Sequence, residues 1–144
     1  MSNSIKEIQD EIIEEFELFD SWDDKYGYII ECGKKLAPLP DKYKTEDRLV
    51  RGCQSQVWLN ATEENNKVVF QADSDAIIVK GLISLLVRVL SNQSAEDIVK
   101  NELYFIERIG MQSHLSMTRS NGLTSMLKTM KIKALLFQEA HKSN

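Results

Sequence analysis

The chain has 144 residues, of which 42% are hydrophobic, so it is long enough to bury a core and is predicted to form one domain over residues 1–144. Its formal net charge of −4 argues against nucleic acid as a partner, because nucleic-acid-binding surfaces are basic. The first residues lack the apolar segment of a signal peptide, and no apolar run approaches the ~20 residues of a membrane-spanning helix. We therefore expect a cytoplasmic protein without a membrane partner.

The N-terminal third of the sequence has the periodicity of two helices. Apolar residues recur every three or four positions over residues 5–19, which predicts an amphipathic helix. A second stripe over residues 22–36 predicts another helix, with Ser21 as its capping residue. Pro38 and Pro40 follow this stripe and should end the helix.

The middle of the sequence alternates between apolar and polar residues, as strands do. Alternation over residues 57–61 and again over residues 68–72 predicts two antiparallel strands. The polar residues 63–66 between them are typical of a hairpin turn. Leu49 and Val50 are candidates for a third short strand.

The C-terminal half is predicted to be helical. Residues 73–75, Asp-Ser-Asp, are predicted to cap a helix over residues 76–90 that is apolar on nearly every side and should lie in the core. Its inward positions are predicted to be Ile77, Ile78, Leu82, Leu85, Leu86 and Val89. Further helices are predicted from Ser94, from Leu103 to a terminating Gly110, and from about Ser120. Helices, then a small sheet of two or three strands, then helices indicate an α+β fold.

The segment 48–59, RLVRGCQSQVWL, holds one of the two cysteines. Gly52 allows a tight bend, so the sulfur of Cys53 is predicted to project from a turn between two strand-like pieces. Arg48 and Arg51 are close in sequence, and positive charge lowers the pKa of a thiol and favours the nucleophilic thiolate. The neutral donors that could hold a thiolate are Gln54, Ser55 and Gln56.

Several roles for Cys53 remain open on this pattern alone. The simplest is that of a small buried hydrophobe. A cysteine hydrolase would need a histidine base, for which only His114 and His141 are present. A zinc or cluster site usually takes three or four clustered ligands, and Cys32 is far from Cys53 in sequence. Thiol exchange with a sulfur atom on another protein requires neither a base nor a metal.

Three blocks of the sequence resemble one known family. RGCQSQVWL at 51–59, DSDAIIVKGL at 73–82 and HLSMTRSNGL at 114–123 occur in the order seen in the SufE family of sulfur acceptors. The likeness covers most of the chain, from the first helix to near the C-terminus. It implies an α+β fold similar to that of the IscU scaffold.

The resemblance also implies roles for individual residues. Cys53 matches the sulfur-accepting cysteine of the family. Asp73, Asp75 and Arg119 lie on segments that the family uses near that cysteine and at the partner surface. The remaining members of this predicted supporting or partner surface are the turn residues Arg51, Gly52, Gln54, Ser55 and Gln56.

The partners implied by the resemblance are a cysteine desulfurase and a cluster-assembly complex. Family members raise the turnover of the desulfurase SufS and pass sulfur to a SufBCD-type complex, and the related CsdE works with CsdA. Pyridoxal phosphate belongs to the desulfurase, so the resemblance implies no cofactor or metal for this chain and no catalysis of its own. The expected state is a monomer or weak homodimer.

Two residues depart from the family pattern. Met117 stands where many members have proline, directly before the predicted last helix, where the loss of a rigid φ should matter little. Cys32 lies outside the family motifs and within the second helical stripe, so it is predicted to pack against the core. The alternative is a resolving thiol, which requires Cys32 to lie near Cys53.

The hypothesis from the sequence is therefore a non-catalytic sulfur acceptor that carries a persulfide on Cys53 and stimulates a desulfurase. The chemistry favours a mobile turn that is shielded at rest and extended when bound, since an exposed reactive thiol would oxidise. The alternatives are a desulfurase adaptor that does not need the thiol and an IscU-like cluster scaffold.

Overall fold

In the computed structural model of the protein, the described residues are 3–53, 55–110 and 117–142, with the backbone alone for residues 117–121. These ranges contain six α-helices and one hairpin. The helices are α1 Ile5–Glu17, α2 Trp22–Lys34, α3 Ile77–Leu90, α4 Ala95–Lys100, α5 Phe105–Arg108 and α6 Met117–Lys142. The strands are β1 Val57–Glu64 and β2 Lys67–Ser74, and short 3-10 turns occupy Asp41–Tyr43 and Glu46–Arg48. The predicted α+β class is confirmed.

Both N-terminal helices begin at serines that cap them. Ser4 forms a full capping box with Glu7, in which each residue accepts a hydrogen bond from the backbone N–H of the other. The hydroxyl of Ser21 accepts from the N–H of Asp24 at 3.2 Å, as predicted for the start of α2. Capping therefore fixes where each helix starts, and the apolar stripes then place α1 and α2 on the core.

The hairpin has a tighter turn than its sequence predicted. Asn65 and Asn66 have φ values of 53° and 65°, which is the geometry of a two-residue turn between β1 and β2. The sheet of the described residues has two strands, the lower of the two predicted numbers, because the candidate residue Leu49 makes only an isolated bridge to Trp58.

The central helix α3 is buried along most of its length, but its start differs from the prediction. Ile77, expected to point inward, is 67% exposed. The predicted capping of this helix by Asp73 and Asp75 is also wrong, since Ala76 is the N-cap and no side chain caps the helix. The two carboxylates are engaged elsewhere, by lysines and by the backbone beside Cys53.

The C-terminal helices complete the core. α5 is followed by Gly110 with φ of 84°, the left-handed conformation expected of a terminating glycine. The last helix begins at Met117, before the predicted Ser120, and buries Leu123 and Met130 among others. Among the described residues, no helix combines the length and apolar character needed to cross a membrane.

The contact between α2 and α3 depends on two glycines. A Cβ on Gly81 would lie 2.2 Å from the carbonyl oxygen of Ile29, and a Cβ on Gly33 would lie 2.7 Å from the backbone nitrogen of Gly81. The helices therefore approach with backbone against backbone. Any side chain at position 81 would force them apart.

We predict that Gly81→Ala lowers the free energy of unfolding by at least about 2 kcal/mol, because the helix backbone itself has to move. Gly27→Ala is the matched control within α2, since a Cβ there would meet nothing within 4 Å. That change should raise the free energy of unfolding by about 0.5–1 kcal/mol through helix propensity. Urea unfolding measures both, and equal stabilities would contradict close packing at Gly81.

Candidate functional site

Cys53 lies in a short loop that is closed at its base. The backbone N–H of Val50 donates to the carbonyl of Val57 at 2.8 Å, so residues 51–56 form the loop between these two points. Gly52 has φ of 89°, a conformation that side chains resist, and this bend sets the direction of the following Cys53. The predicted glycine turn is therefore present.

The cysteine loop rests against α6. A Cβ on Gly52 would lie 2.6 Å from the hydroxyl oxygen of Ser125, and the thiol of Cys53 donates to the carbonyl of Gly122 at 3.7 Å. A Cβ on Gly122 would be 3.4 Å from the sulfur of Cys53. Glycines on both sides of the contact allow this close approach, and they leave Cys53 half-buried.

Burial raises the pKa of the Cys53 thiol above its ordinary value. The prediction that neighbouring arginines lower this pKa is wrong for the described side chains. Arg48 donates to Asn60 at 3.0 Å and lies over the ring of Tyr43, while Arg51 is exposed. In this arrangement Cys53 is a shielded thiol rather than a thiolate.

Asp75 holds the end of the cysteine loop. Its carboxylate accepts from the backbone N–H of Gln56 at 3.0 Å, and its own N–H donates to the carbonyl of Gln56 at 3.2 Å. Two hydrogen bonds between the same residues fix both the position and the orientation of that backbone. The predicted proximity of Asp75 to the cysteine segment is thus seen in the structure.

Asp73 anchors the segment that leads into the loop. Its side chain is largely buried, and its oxygens lie 3.3 Å from the ammonium of Lys44 and 3.4 Å from that of Lys80. Burial by itself would raise the pKa of Asp73, but the N–H of Ser74 and the two lysines outweigh it and the pKa is lowered. Lys44 also lies over the ring of Trp58, the half-buried residue that pairs with Asp73 across the hairpin.

The other predicted site residues are only partly placed. Ser55 is half-buried and Gln56 is exposed. The backbone N–H of Gln56 is the group that Asp75 binds. Arg119 lies in the first turn of α6, and its predicted contact with Cys53 falls outside the described side chains. Two further residues, Gln54 and His114, lie outside the described residues.

Sequence reasoning missed Gly122 and Ser125 as neighbours of Cys53. Gly122 did carry a signal, because glycine inside a helix costs about 1 kcal/mol relative to alanine and so suggests a close approach. Ser125 gave no such signal. Its contact with Gly52 depends on how α6 lies across the hairpin.

Cys32 has an environment of its own on α2. It is half-buried and packs against the core. Burial raises the pKa of the Cys32 thiol by more than a hydrogen bond with Tyr28 lowers it. Cys32 lines a cavity with Tyr28, Leu36 and Arg88, whereas Cys53 lies against Gly122 of α6, and both thiols are free. The packing of Cys32 against the core agrees with its predicted role.

The comparisons with known proteins decide the family. The model of the Fe-S metabolism associated domain, SufE, matches residues 10–134. The chain belongs to the SufE family. This SufE-family chain is 40% identical over 130 residues to an uncharacterized SufE-like protein of Rhizobium meliloti, with 87% of this chain and 93% of that protein covered.

Two more relatives and one solved structure agree. An uncharacterized SufE-like protein of Synechocystis is 39% identical, with 88% of this chain and 80% of that protein covered. SufE-like protein 1 of Arabidopsis thaliana, described as chloroplastic/mitochondrial, is 41% identical over 91% of this chain, which spans 36% of that longer protein. The solution structure of a hypothetical protein from Thermus thermophilus superposes with a TM-score of 0.73 at 22% identity, covering 88% and 93% of the two chains. That structure shows that the two chains share a fold.

We predict that the pKa of Cys53 is higher in the folded protein than in the unfolded chain, because burial disfavours the thiolate. The pH dependence of alkylation by iodoacetamide measures it, in a Cys32→Ser background with and without urea. The rate in the folded protein should be lower at neutral pH and should still be rising above pH 9.0, the ordinary value. A folded-state pKa below the unfolded one would mean that a cation stabilises the thiolate.

Asp75→Ala is expected to raise the alkylation rate of Cys53 by up to about tenfold, since losing a hydrogen bond to a carboxylate costs about 1.4 kcal/mol and releases the loop end. Asp75→Asn keeps an oxygen acceptor at the same place and should react within about twofold of wild type. Identical rates in all three proteins would show that this contact does not restrain the loop.

Proposed function

We propose that this SufE-family protein accepts sulfur on Cys53 as a persulfide from a cysteine desulfurase and carries it towards iron–sulfur cluster assembly. The observation that carries the proposal is one thiol in a glycine turn, shielded against α6 and held by Asp75 at the end of its loop. The family match to an Fe-S metabolism associated domain supplies the context.

The partners in this proposal divide the chemistry. A SufS-like or CsdA-like desulfurase uses pyridoxal phosphate to take sulfur from free cysteine, and a SufBCD-type complex receives it later. This chain contributes the acceptor thiol and the surface that presents it, so it stimulates the desulfurase without catalysing the reaction itself.

The transfer is a thiol exchange with balanced atoms and electrons. The Cys53 sulfur attacks the terminal sulfur of the persulfide on the desulfurase, and a new sulfur–sulfur bond forms. The bond between that terminal sulfur and the desulfurase cysteine breaks, and the cysteine leaves as a thiolate. The proton lost by Cys53 is then available to the leaving thiolate, so no external oxidant or reductant is required.

The shielded thiol requires the loop to move before transfer. A raised pKa and partial burial keep Cys53 protonated and protect it from oxidation at rest. The loop of residues 51–56 can carry Cys53 roughly 10 Å from its base when both arms extend, at ~3.3 Å per residue. Leaving the α6 contact removes the burial, so the same motion exposes the thiol and lowers its pKa.

We expect the wild-type protein to gain one sulfur atom on incubation with its desulfurase and free cysteine, as measured by intact mass. Cys53→Ser should gain none, because the attacking sulfur is absent. Cys32→Ser is the matched control and should gain sulfur like wild type, since Cys32 is on α2 and lines a cavity with Tyr28, Leu36 and Arg88.

The outcomes separate this proposal from its alternatives. A wild-type protein without added mass beside an active desulfurase would reject it. Full stimulation of the desulfurase by Cys53→Ser would instead favour an adaptor that works without the thiol. Bound iron with a visible absorption band would favour a scaffold, although no cluster of three or more potential metal ligands occurs among the described residues.

A further inference from the structure

The outer face of α6 exposes a row of large apolar side chains. Ile132, Leu135 and Leu136 are 46%, 42% and 59% exposed, and we call these three residues the α6 ridge. A groove of about 430 Å³ runs beside the ridge and has Val99 and Leu127 in its wall. Exposed apolar patches of this kind mark interaction surfaces more often than single exposed residues do.

The α6 ridge continues from the place where the cysteine loop rests. Ile132 and Leu136 follow Ser125 by seven and eleven residues, so all three lie within about 20° of one line along the helix. At a rise of 1.5 Å per residue, the two apolar residues lie about 10 and 16 Å from Ser125. Since Gly52 sits directly on Ser125, the loop lies on the same side of α6 as Ile132 and Leu136, with Thr129 between them.

The border of this surface is basic. Lys128 and Lys131 line the groove beside the ridge. From Thr124 onward, α6 contains no carboxylate until Glu139, although the whole chain has a net charge of −4. A complementary partner would therefore present apolar side chains bordered by carboxylates.

The cysteine loop is too small to bind a protein by itself. A stable protein interface takes roughly 20–30 residues from each side, whereas the loop offers residues 51–56. A partner that reaches Cys53 must also contact surface next to the loop. The α6 ridge is apolar, exposed and in line with the turn, so it fits that requirement.

We propose that the α6 ridge docks the desulfurase that delivers sulfur to Cys53, against an apolar patch bordered by acidic residues. This inference rests on the proposed function and adds the surface through which the donor binds. Docking there would place the desulfurase over Ser125, next to the Cys53 turn that has to leave α6 before sulfur transfer.

The test is the affinity of the purified desulfurase for an Ile132→Glu, Leu136→Glu double variant, measured by titration calorimetry without free cysteine. We expect binding at least tenfold weaker than wild type, because the variant places two carboxylates in an apolar contact and opposite an acidic rim. Leu18→Glu is the matched control: Leu18 is 80% exposed at the end of α1, and its replacement should leave the dissociation constant within twofold.

Two further measurements separate docking from chemistry and folding. The double variant should keep the wild-type alkylation rate of Cys53 and the wild-type urea midpoint, and it should still gain one sulfur atom at saturating desulfurase. An unchanged dissociation constant would overturn the inference even if wild type accepts sulfur. If wild type accepts no sulfur, the proposed function fails, and with it this surface as a donor-docking site.

A second copy of this chain is the competing occupant of the ridge. Its α1–α2 corner carries exposed Leu18 among Glu17, Asp20, Asp23 and Asp24, which is an acidic surface with an apolar centre. Sedimentation of the protein without the desulfurase distinguishes self-association from docking of the desulfurase. A wild-type dimer that the double variant converts to monomer would assign the ridge to self-association and overturn docking of the desulfurase.

Discussion

The site depends on the contact between the cysteine turn and α6, where side chains are missing on both sides. Gly52 takes a left-handed conformation and leaves space for Ser125, and Gly122 brings a helix carbonyl to the sulfur of Cys53. Gly52 is the more restrictive of the two, because a Cβ there would lie 2.6 Å from the hydroxyl oxygen of Ser125 on a backbone with φ of 89°. Burial of the thiol, its raised pKa and its alignment with the outer face of α6 all follow from this approach.

Shielding and reactivity oppose each other at Cys53. The thiolate is the attacking species, and burial reduces its population. A carrier that meets oxidants between two partners benefits from that reduction, because the low-pKa thiols are the ones that oxidise most readily. In the proposed transfer, reactivity is restored when the turn moves out of the α6 contact and the burial of the thiol is lost.

Two carboxylates, separated by one residue, connect the cysteine loop and the segment before it to the core. Asp73 is buried between Lys44 and Lys80, so it ties the chain entering the loop to the central helix. Asp75 is exposed and binds the backbone of Gln56, so it restrains the loop where it rejoins the hairpin. The buried anchor is harder to break than the exposed one, so the Asp75 contact is the one that the proposed loop movement has to release.

The sequence by itself determined the fold class, the helix start at Ser21 and the glycine turn before Cys53, because periodicity, capping and backbone freedom are local properties. Through the resemblance to the SufE family it also pointed to Asp75, which binds the end of the cysteine loop, but not to Gly122 or Ser125. Only the tertiary structure decided how the charges act: Arg48 binds Asn60 instead of Cys53, and Asp73 and Asp75 anchor chain segments instead of capping α3. These partners come from segments far apart in the chain, and local patterns do not encode which distant segments meet.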